Sequence, residues 1–338
     1  MELKTLHTND NDIFVGFAES RIGGRPENQD SYGFKETKLG FLLTVCDGMG
    51  GGPGGKTAST IAVTEIIAGV EESNEDEEVA NILIKAVRRA NMAILEAGNQ
   101  NPPLQGMGST ATVLLLSEKS AYIAYVGDSR VYQIRGGKKA FRTFDHSMVF
   151  ELVKQKVITE EQARLSAQSN VITRALGMKP DLEVDVLERS YDKGDRFVLC
   201  SDGIHGSMPE KELLKLVANR RSSLGAVVDD IATYVDNLGR SNGGNHDNLT
   251  LAIIETKINS KLKEKMSRLA KNLILALSIL CVASVALNFY QGCSERTSPC
   301  PVDSTATKQQ KTQVLQKDST TKAPQDSVKK LNKKQEKQ

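Results

Sequence analysis

The 338-residue chain has no tryptophan, only 7 tyrosines and 9 phenylalanines, and a net charge of just +2. Without aromatic platforms for base stacking or a large positive field, it is not expected to bind nucleic acid. Its five cysteines, Cys46, Cys200, Cys281, Cys293 and Cys300, form neither a C-x-x-C pair nor a cluster with the four histidines. That spacing argues against structural zinc and a disulfide-built core. Cys46 and Cys200 lie inside apolar runs and read as core fillers. The opening MELKTLHTNDNDIF lacks the apolar stretch of a secretory signal, so the residues after it are expected to fold in the cytoplasm.

Long apolar runs are scarce, with one exception. NLILALSILCVASVALNFY, residues 272–290, carries no charge and approaches the roughly 20 residues that span a bilayer. Its end at Phe289 and Tyr290 suits an interfacial anchor, and it reads as one C-terminal transmembrane helix. Lys257, Lys261, Lys263, Lys265, Arg268 and Lys271 crowd its N-terminal flank, whereas only Arg296 stands close on the other side. This asymmetry puts the large N-terminal part on the cytoplasmic side of a plasma (inner) membrane, with a single pass and the C-terminal tail outside. Residues 291–338 are rich in Lys, Gln, Ser and Thr with few bulky apolar residues, the composition of a disordered basic tail. In an oxidising space, Cys293 and Cys300 could close a small disulfide loop. The expected organisation is therefore a folded domain at 1–256, a basic juxtamembrane linker at 257–271, the span at 272–290 and the tail at 291–338.

Within residues 1–256, short Val-, Ile-, Leu- and Tyr-rich segments bounded by turn residues read as strands at 12–18, 39–45, 110–116, 121–126, 131–134, 183–187, 196–200 and 249–254. Helical periodicity appears at 57–69 and 76–97, and less cleanly at 147–156, 159–168, 209–218 and 223–238. Several strands are joined by turns too short for crossover helices, so they pair mainly antiparallel. The pattern predicts an α+β domain with sheets inside and helices outside.

Two chemical readings compete. Gly50–Thr57 spells G-x-x-x-x-G-K-[ST] between a strand-like and a helix-like run, the P-loop pattern that cradles nucleotide phosphates. Against it stands a set of acids at strand ends: Asp47 after FLLTVC, Asp128 after YIAYVG, Asp202 after RFVLCS and Asp247 before NLTLAII. Each adjoins a Gly or Asn turn that lets a carboxylate and a backbone carbonyl face one point. Oxygen ligands without imidazole or thiolate suit Mg²⁺ or Mn²⁺. Each Asp-Gly alone could be an ordinary turn, and RFVLCSD could also serve as the acidic strand of a nucleotide site.

The motifs R-P-E-N-Q-D (25–30), V-C-D-G-M-G-G (45–51), M-G-S-T (107–110), V-G-D-S-R (126–130), I-T-R-A-L-G (172–177), C-S-D-G (200–203) and D-N-L-T (247–250) are those of the metal-dependent Ser/Thr protein phosphatases of the 2C type, and in their order. The chain resembles that family, particularly its bacterial branch, over about residues 12–256. The resemblance implies two packed antiparallel sheets flanked by helices, an αββα sandwich. It implies that Asp47 bridges two Mn²⁺ or Mg²⁺ ions, that the Gly48 carbonyl ligates one, and that Asp202 and Asp247 complete the other. Asp30 would hold water of the metal shell, Arg25 would grip the substrate phosphate, and Asp128 with Asp202 would match a third, weaker metal position.

The implied substrates are phosphoserine and phosphothreonine proteins, opposed to a cognate Ser/Thr kinase. Gln29 departs from the Glu of many relatives, and Met49 and Gly52 stand where some place a histidine. Metal-shell water is then the expected proton donor to the leaving oxygen. The same pocket without turnover would make a phosphoprotein-binding module. His7, His146, His205 and His246 are not expected to be catalytic, and residues 145–177 correspond to the family's variable flap.

Overall fold

Every residue of FLLTVC (41–46) is buried, and the cause is its position in the middle of the molecule. The structure is a computed structural model that describes residues 4–7, 13–50, 54–262 and 276–285. In chain order its strands are β1 Lys4–His7, β2 Phe14–Arg21, β3 Asp30–Thr37, β4 Gly40–Met49, β5 Gly108–Ser109, β6 Ala111–Leu116, β7 Ala121–Val126, β8 Arg130–Arg135, β9 Lys138–Arg142, β10 Asp185–Arg189, β11 Arg196–Cys200 and β12 Leu249–Thr256. The helices are α1 Gly54–Glu71, α2 Val79–Gln100, α3 Met148–Lys154, α4 Glu160–Arg164, α5 Asp202–His205, α6 Glu210–Val217 and α7 Leu224–Ser241.

One sheet runs β1-β2-β12-β11-β8-β9 and the other β10-β7-β6-β4-β3, with β5 paired to β4. Each strand pair is antiparallel. Because strand side chains alternate, β4 serves two cores at once. Phe41, Leu43 and Val45 meet Phe14, Phe197, Leu199 and Ile254 between the sheets. Leu42 and Cys46 face the opposite way, against Ala58, Ala62 and Ile66 of α1 and Leu83 and Val87 of α2. A third core packs the outer face of the first sheet against α6 and α7. These layers make the αββα sandwich, with helices on both outer faces.

Helix α1 buries Ala58, Ala62, Ile66 and Val70 at four-residue spacing, one stripe of a 3.6-residue helix. Side chains such as Ile66 contribute about 1.5–3 kcal/mol each by burial. Gly69 permits the close approach of α2, since a Cβ there would lie 3.0 Å from Ala86 Cα. Gly136 and Gly137, at φ 56° and 75°, form the tight turn between β8 and β9.

Where elements differ from the sequence expectation, the reasons are local. Strands β1, β3 and β9 lie at or near sheet edges and carry Lys, Glu and Thr outward, so they lack a strong apolar signal. The expected helix at 159–168 reduces to α4, which starts in a capping box between Thr159 and Gln162. Helix α3 stops before Lys156, whose φ of 61° leaves helical geometry.

Backbone contacts divide the chain into two units between Lys265 and Met266. In the second, residues 276–285 are helical and exposed, including Leu277, Ile279, Leu280, Val282 and Val285. No helix among the described residues is long and apolar enough to cross a membrane. The remainder of the expected 272–290 span lies outside the described residues, as do the 291–338 tail, Cys293, Cys300 and most of the 257–271 linker.

Candidate active site

The acids flagged at strand ends come together because the sandwich places the ends of β4, β7, β11 and the start of β12 around one opening. Arg25, Asp47, Gly48, Asp128, Asp202 and Asp247 line a single cleft of about 410 Å³. Asp30 is 3 % exposed and stands opposite Asp47 in the β3–β4 register.

Short polar links leave the carboxylates aimed inward. The Asp47 amide donates to Thr110 Oγ1 at 2.9 Å, and its carbonyl accepts from the Thr110 amide at 2.8 Å and Ser109 Oγ at 3.1 Å. The backbone is therefore satisfied without the side chain. Thr110 Oγ1 also meets Ser129 Oγ at 2.8 Å, tying this clamp to the turn that carries Asp128. The Asp128 carbonyl accepts from His205 Nε2 at 3.0 Å. Ser201 Oγ donates to Asp30 Oδ2 at 2.7 Å.

Gly48 can only be glycine: a Cβ would lie 2.0 Å from the Gly55 carbonyl. At Gly203 the same atom would lie 1.9 Å from the Asn248 carbonyl, so the chain after Asp202 packs directly on the chain after Asp247. At the rim, Arg25 Nη2 donates to Asp247 Oδ2 at 3.0 Å, with both side chains substantially exposed.

The electrostatics are those of crowded, buried carboxylates. Burial first, then the charges on Asp202 and Asp247, pushes Asp30 up to about 7 against the opposing hydrogen bonds from Ser201 and Thr250. Burial and then Asp247 push Asp202 up to about 6. Asp47 is raised well above the carboxylate range by burial and by Asp30 and Asp202, and Asp128 by burial and Asp202. A side-chain contact with Asp47 works against the rise at Asp202.

Among the described residues no group of three or more His, Cys, Asp or Glu side chains converges into a ready-made metal shell. The acids instead line the walls of an open cleft. Hard oxygen donors with excess negative charge nevertheless suit divalent Mg²⁺ or Mn²⁺, which also take backbone carbonyls and water. The donor set fits such ions, and their charge would offset the burial and the neighbouring charges that raise these carboxyls.

The P-loop alternative fails on geometry. Strand β4 is flanked by antiparallel partners, not the parallel strands of a βαβ unit. Lys56 does not reach the cleft; its Nζ donates to the Asp30 carbonyl at 2.8 Å and Ser31 Oγ at 3.1 Å. Cys46 and Cys200 are buried, and burial pushes both thiols up to about 12, so they pack as uncharged apolar groups.

The histidines whose side chains are described, His146, His205 and His246, hold structure. His146 Nδ1 accepts from the Gly127 amide at 3.1 Å while Nε2 donates to Asp185 at 2.8 Å, and burial lowers its pKa. His205 is lowered well below the usual value by burial and Arg130. His246 pairs with Asp236 at 2.8 Å.

Asn248 was missed when the acids were singled out. Its Oδ1 accepts from the Gln29 amide at 2.9 Å, and its Nδ2 donates to the carbonyls of Ile22 at 2.8 Å and Glu27 at 2.9 Å. One buried amide thus organises the loop that presents Arg25 and leads into Asp30. Thr110 and Ser201 were missed for the same reason: they sit inside the motifs M-G-S-T and C-S-D-G, but neutral side chains carry no charge signal. From the flap, Asn170 and Ile172 complete the wall.

Comparison with known proteins agrees with this geometry. The family model described as Protein phosphatase 2C matches residues 19–251. A putative protein phosphatase 2C-type from Streptococcus pyogenes is 32% identical over 238 residues, covering 69% of this chain and 93% of its own. The serine/threonine phosphatase Stp1 from Staphylococcus aureus superposes with a TM-score of 0.66 at 28% identity, covering 74% of this chain and 98% of its own. The catalytic domain of the serine/threonine phosphatase PstP, solved with two manganese ions, gives a TM-score of 0.59 at 28% identity, covering 72% and 98%. The ordered motifs, the double-sheet sandwich and the ring of acids all converge: the chain belongs to the protein phosphatase 2C family and is a metal-dependent serine/threonine phosphatase.

Proposed function

We propose that the cleft hydrolyses phosphoserine and phosphothreonine esters of proteins at a centre of two Mn²⁺ or Mg²⁺ ions, with room for a third. The observation that carries this reading is the ring of Asp47, Asp128 and Asp202 around one 410 Å³ cleft, all raised first by burial and then by neighbouring carboxylates. When bound, such ions supply a nucleophilic water of lowered pKa and neutralise phosphoryl oxygens. Asp47 would bridge the pair, the Gly48 carbonyl would serve one ion, and Asp202 with Asp247 the other. Asp128 with Asp202 would hold the third, and Asp30 would accept a hydrogen bond from water of the shell.

Arg25 lies at the mouth, where its planar fork can donate two hydrogen bonds to a phosphate. Its present partner, Asp247 Oδ2, shows that the guanidinium reaches the carboxylate ring. Turnover of p-nitrophenyl phosphate and a phosphothreonine peptide by the full-length protein, with and without Mn²⁺, tests the reading. Metal-dependent release of phosphate is expected. Phosphopeptide binding without turnover by folded, Mn²⁺-loaded protein would overturn it in favour of a binding module.

The phosphatase is further proposed to be tethered by residues 272–290 to the plasma membrane, facing the cytoplasm and opposing a Ser/Thr kinase. The uncharged run, the basic residues before it and the exposed apolar side chains of 276–285 support the tether. Extraction of the full-length protein from membranes by alkaline carbonate would refute a span.

A further inference from the structure

The P-loop-like letters at Gly50–Thr57 do not serve a nucleotide, yet their lysine is engaged. Lys56 reaches out of the first turn of α1 to the start of β3, where its Nζ donates to the Asp30 carbonyl at 2.8 Å and to Ser31 Oγ at 3.1 Å. One turn further along α1, Ser59 Oγ donates to the Gln29 carbonyl at 2.5 Å and meets Ser31 Oγ at 2.9 Å. Gly55 completes the contact. A Cβ there would lie 2.6 Å from Gln29 Oε1, so the Gln29 side chain rests on bare backbone. Three positions of one helix end thus hold two consecutive residues, Gln29 and Asp30.

We infer that Lys56 is a positioning residue for the metal site, acting with Ser59 as a backbone clamp that fixes Asp30. The inference rests on the metal-centre reading above. The Asp30 carboxylate is oriented at its tip by Ser201 Oγ at 2.7 Å, and its amide is held by Asn28 Oδ1 at 3.2 Å. Lys56 supplies the third point, the carbonyl, and three points fix a residue against rotation as well as translation. Asp30 faces Asp47 across the strand pair, so freedom at β3 becomes freedom between those two carboxylates. Partners that orient the groups around a metal typically change affinity or activity by about 10–100-fold when removed.

The role calls for a long cationic donor. Methionine retains the stem but has no hydrogen to give, while arginine keeps several donors on a comparable reach. The full-length protein and its Lys56→Met, Lys56→Arg and Ser59→Ala variants are to be titrated with Mn²⁺ by calorimetry in the absence of substrate. Melting temperatures in chelator and kcat and KM on p-nitrophenyl phosphate complete the set.

Lys56→Met is expected to weaken Mn²⁺ binding by about tenfold and lower kcat with KM changed less than about twofold, while Lys56→Arg recovers most of both. A lower metal-free melting temperature with native Mn²⁺ affinity would overturn the clamp and leave Lys56 a plain helix-to-strand tie. If Lys56→Met does not fold, Ser59→Ala carries the same expectation at about two- to threefold, and native affinity there would overturn it equally. Native protein that binds Mn²⁺ without turning over substrate would sink the phosphatase reading alone, since the difference in binding between variants is read without catalysis.

Discussion

Asp128 and Arg130 are two residues apart, yet they belong to opposite electrostatic regimes. Arg130 is buried and grips buried Asp145 through two bonds, Nε to Oδ1 at 2.7 Å and Nη2 to Oδ2 at 2.6 Å. It also lies over the Phe150 ring at 4.9 Å. Beside it, Arg142 takes Glu160 at 2.7 Å and Glu210 at 3.1 Å, and Lys139 and Arg142 help hold Glu210 below the usual carboxylate range despite burial. Asp128 is more deeply buried than Glu210 and faces Asp202, and burial followed by that charge raises its pKa where that of Glu210 is lowered. Buried charge that is paired within the fold is architecture; buried like charge that is left facing itself is stabilised only by something the chain must bind.

The comparison can be broken by removing one acid from each side. Asp47→Asn is expected to lower kcat on p-nitrophenyl phosphate by at least about 1,000-fold, the scale of losing a group that acts in the transition state. The same change should raise the melting temperature in chelator, because it removes a carboxyl whose ionisation burial and its acidic neighbours oppose. Asp145→Asn should do the reverse. It leaves the Arg130 guanidinium buried without its carboxylate, costing about 3–5 kcal/mol of stability in denaturant titrations. If both substitutions destabilise metal-free protein alike, the distinction fails.

Arg25→Ala sharpens the boundary between the regions, since Arg25 is the cation that reaches the acidic ring. Loss of charged hydrogen bonds to a phosphate is expected to raise KM about tenfold, with the metal-free melting temperature little changed because the side chain is exposed.

The smallest effect is a dependence on pH. Asp30 and Asp202 titrate near 7 and near 6 in the folded chain against an ordinary value of 3.8. Folded protein therefore holds protons that unfolded protein has released. That stabilisation is fully present below about pH 4 and is lost as pH rises through about 6 to 7, so these groups lower the metal-free melting temperature across that window. Mn²⁺ competes with the same protons, and its affinity measured by calorimetry should rise over the same range. Affinity independent of pH there would mean the acids are already ionised.

How much of this could be read in advance differs from residue to residue. Asp47, Asp128, Asp202 and Asp247 were legible because an acid at the end of an apolar run is conspicuous. Arg25 and Asp30 entered through family motifs. Asn248, Thr110 and Ser201 were not singled out, because a neutral side chain that binds backbone carries no pattern in charge or hydropathy. Lys56 stood out only through the competing P-loop spacing, which says nothing of its bonds to Asp30 and Ser31. Its letters match, but the strand before it has antiparallel neighbours, a fact carried by strand order and not by local sequence.

Local sequence determined the alternating strands, the apolar stripe of α1, the glycine turns and the identity of the acids, since each depends on residues within a few positions. Tertiary structure alone decided which chain ends meet. Asp47, Asp128, Asp202 and Asp247 span more than half the chain, and only the stacking of two antiparallel sheets brings them to one cleft, with Asp30 opposite Asp47 in the adjoining strand pair. Strand pairing within one sheet, β8 with β9 and with β11, decided that Asp145 would find Arg130 while Asp128 would face Asp202. Burial raises the energy of every charge, and whether a partner lies opposite is settled by packing between elements distant in sequence.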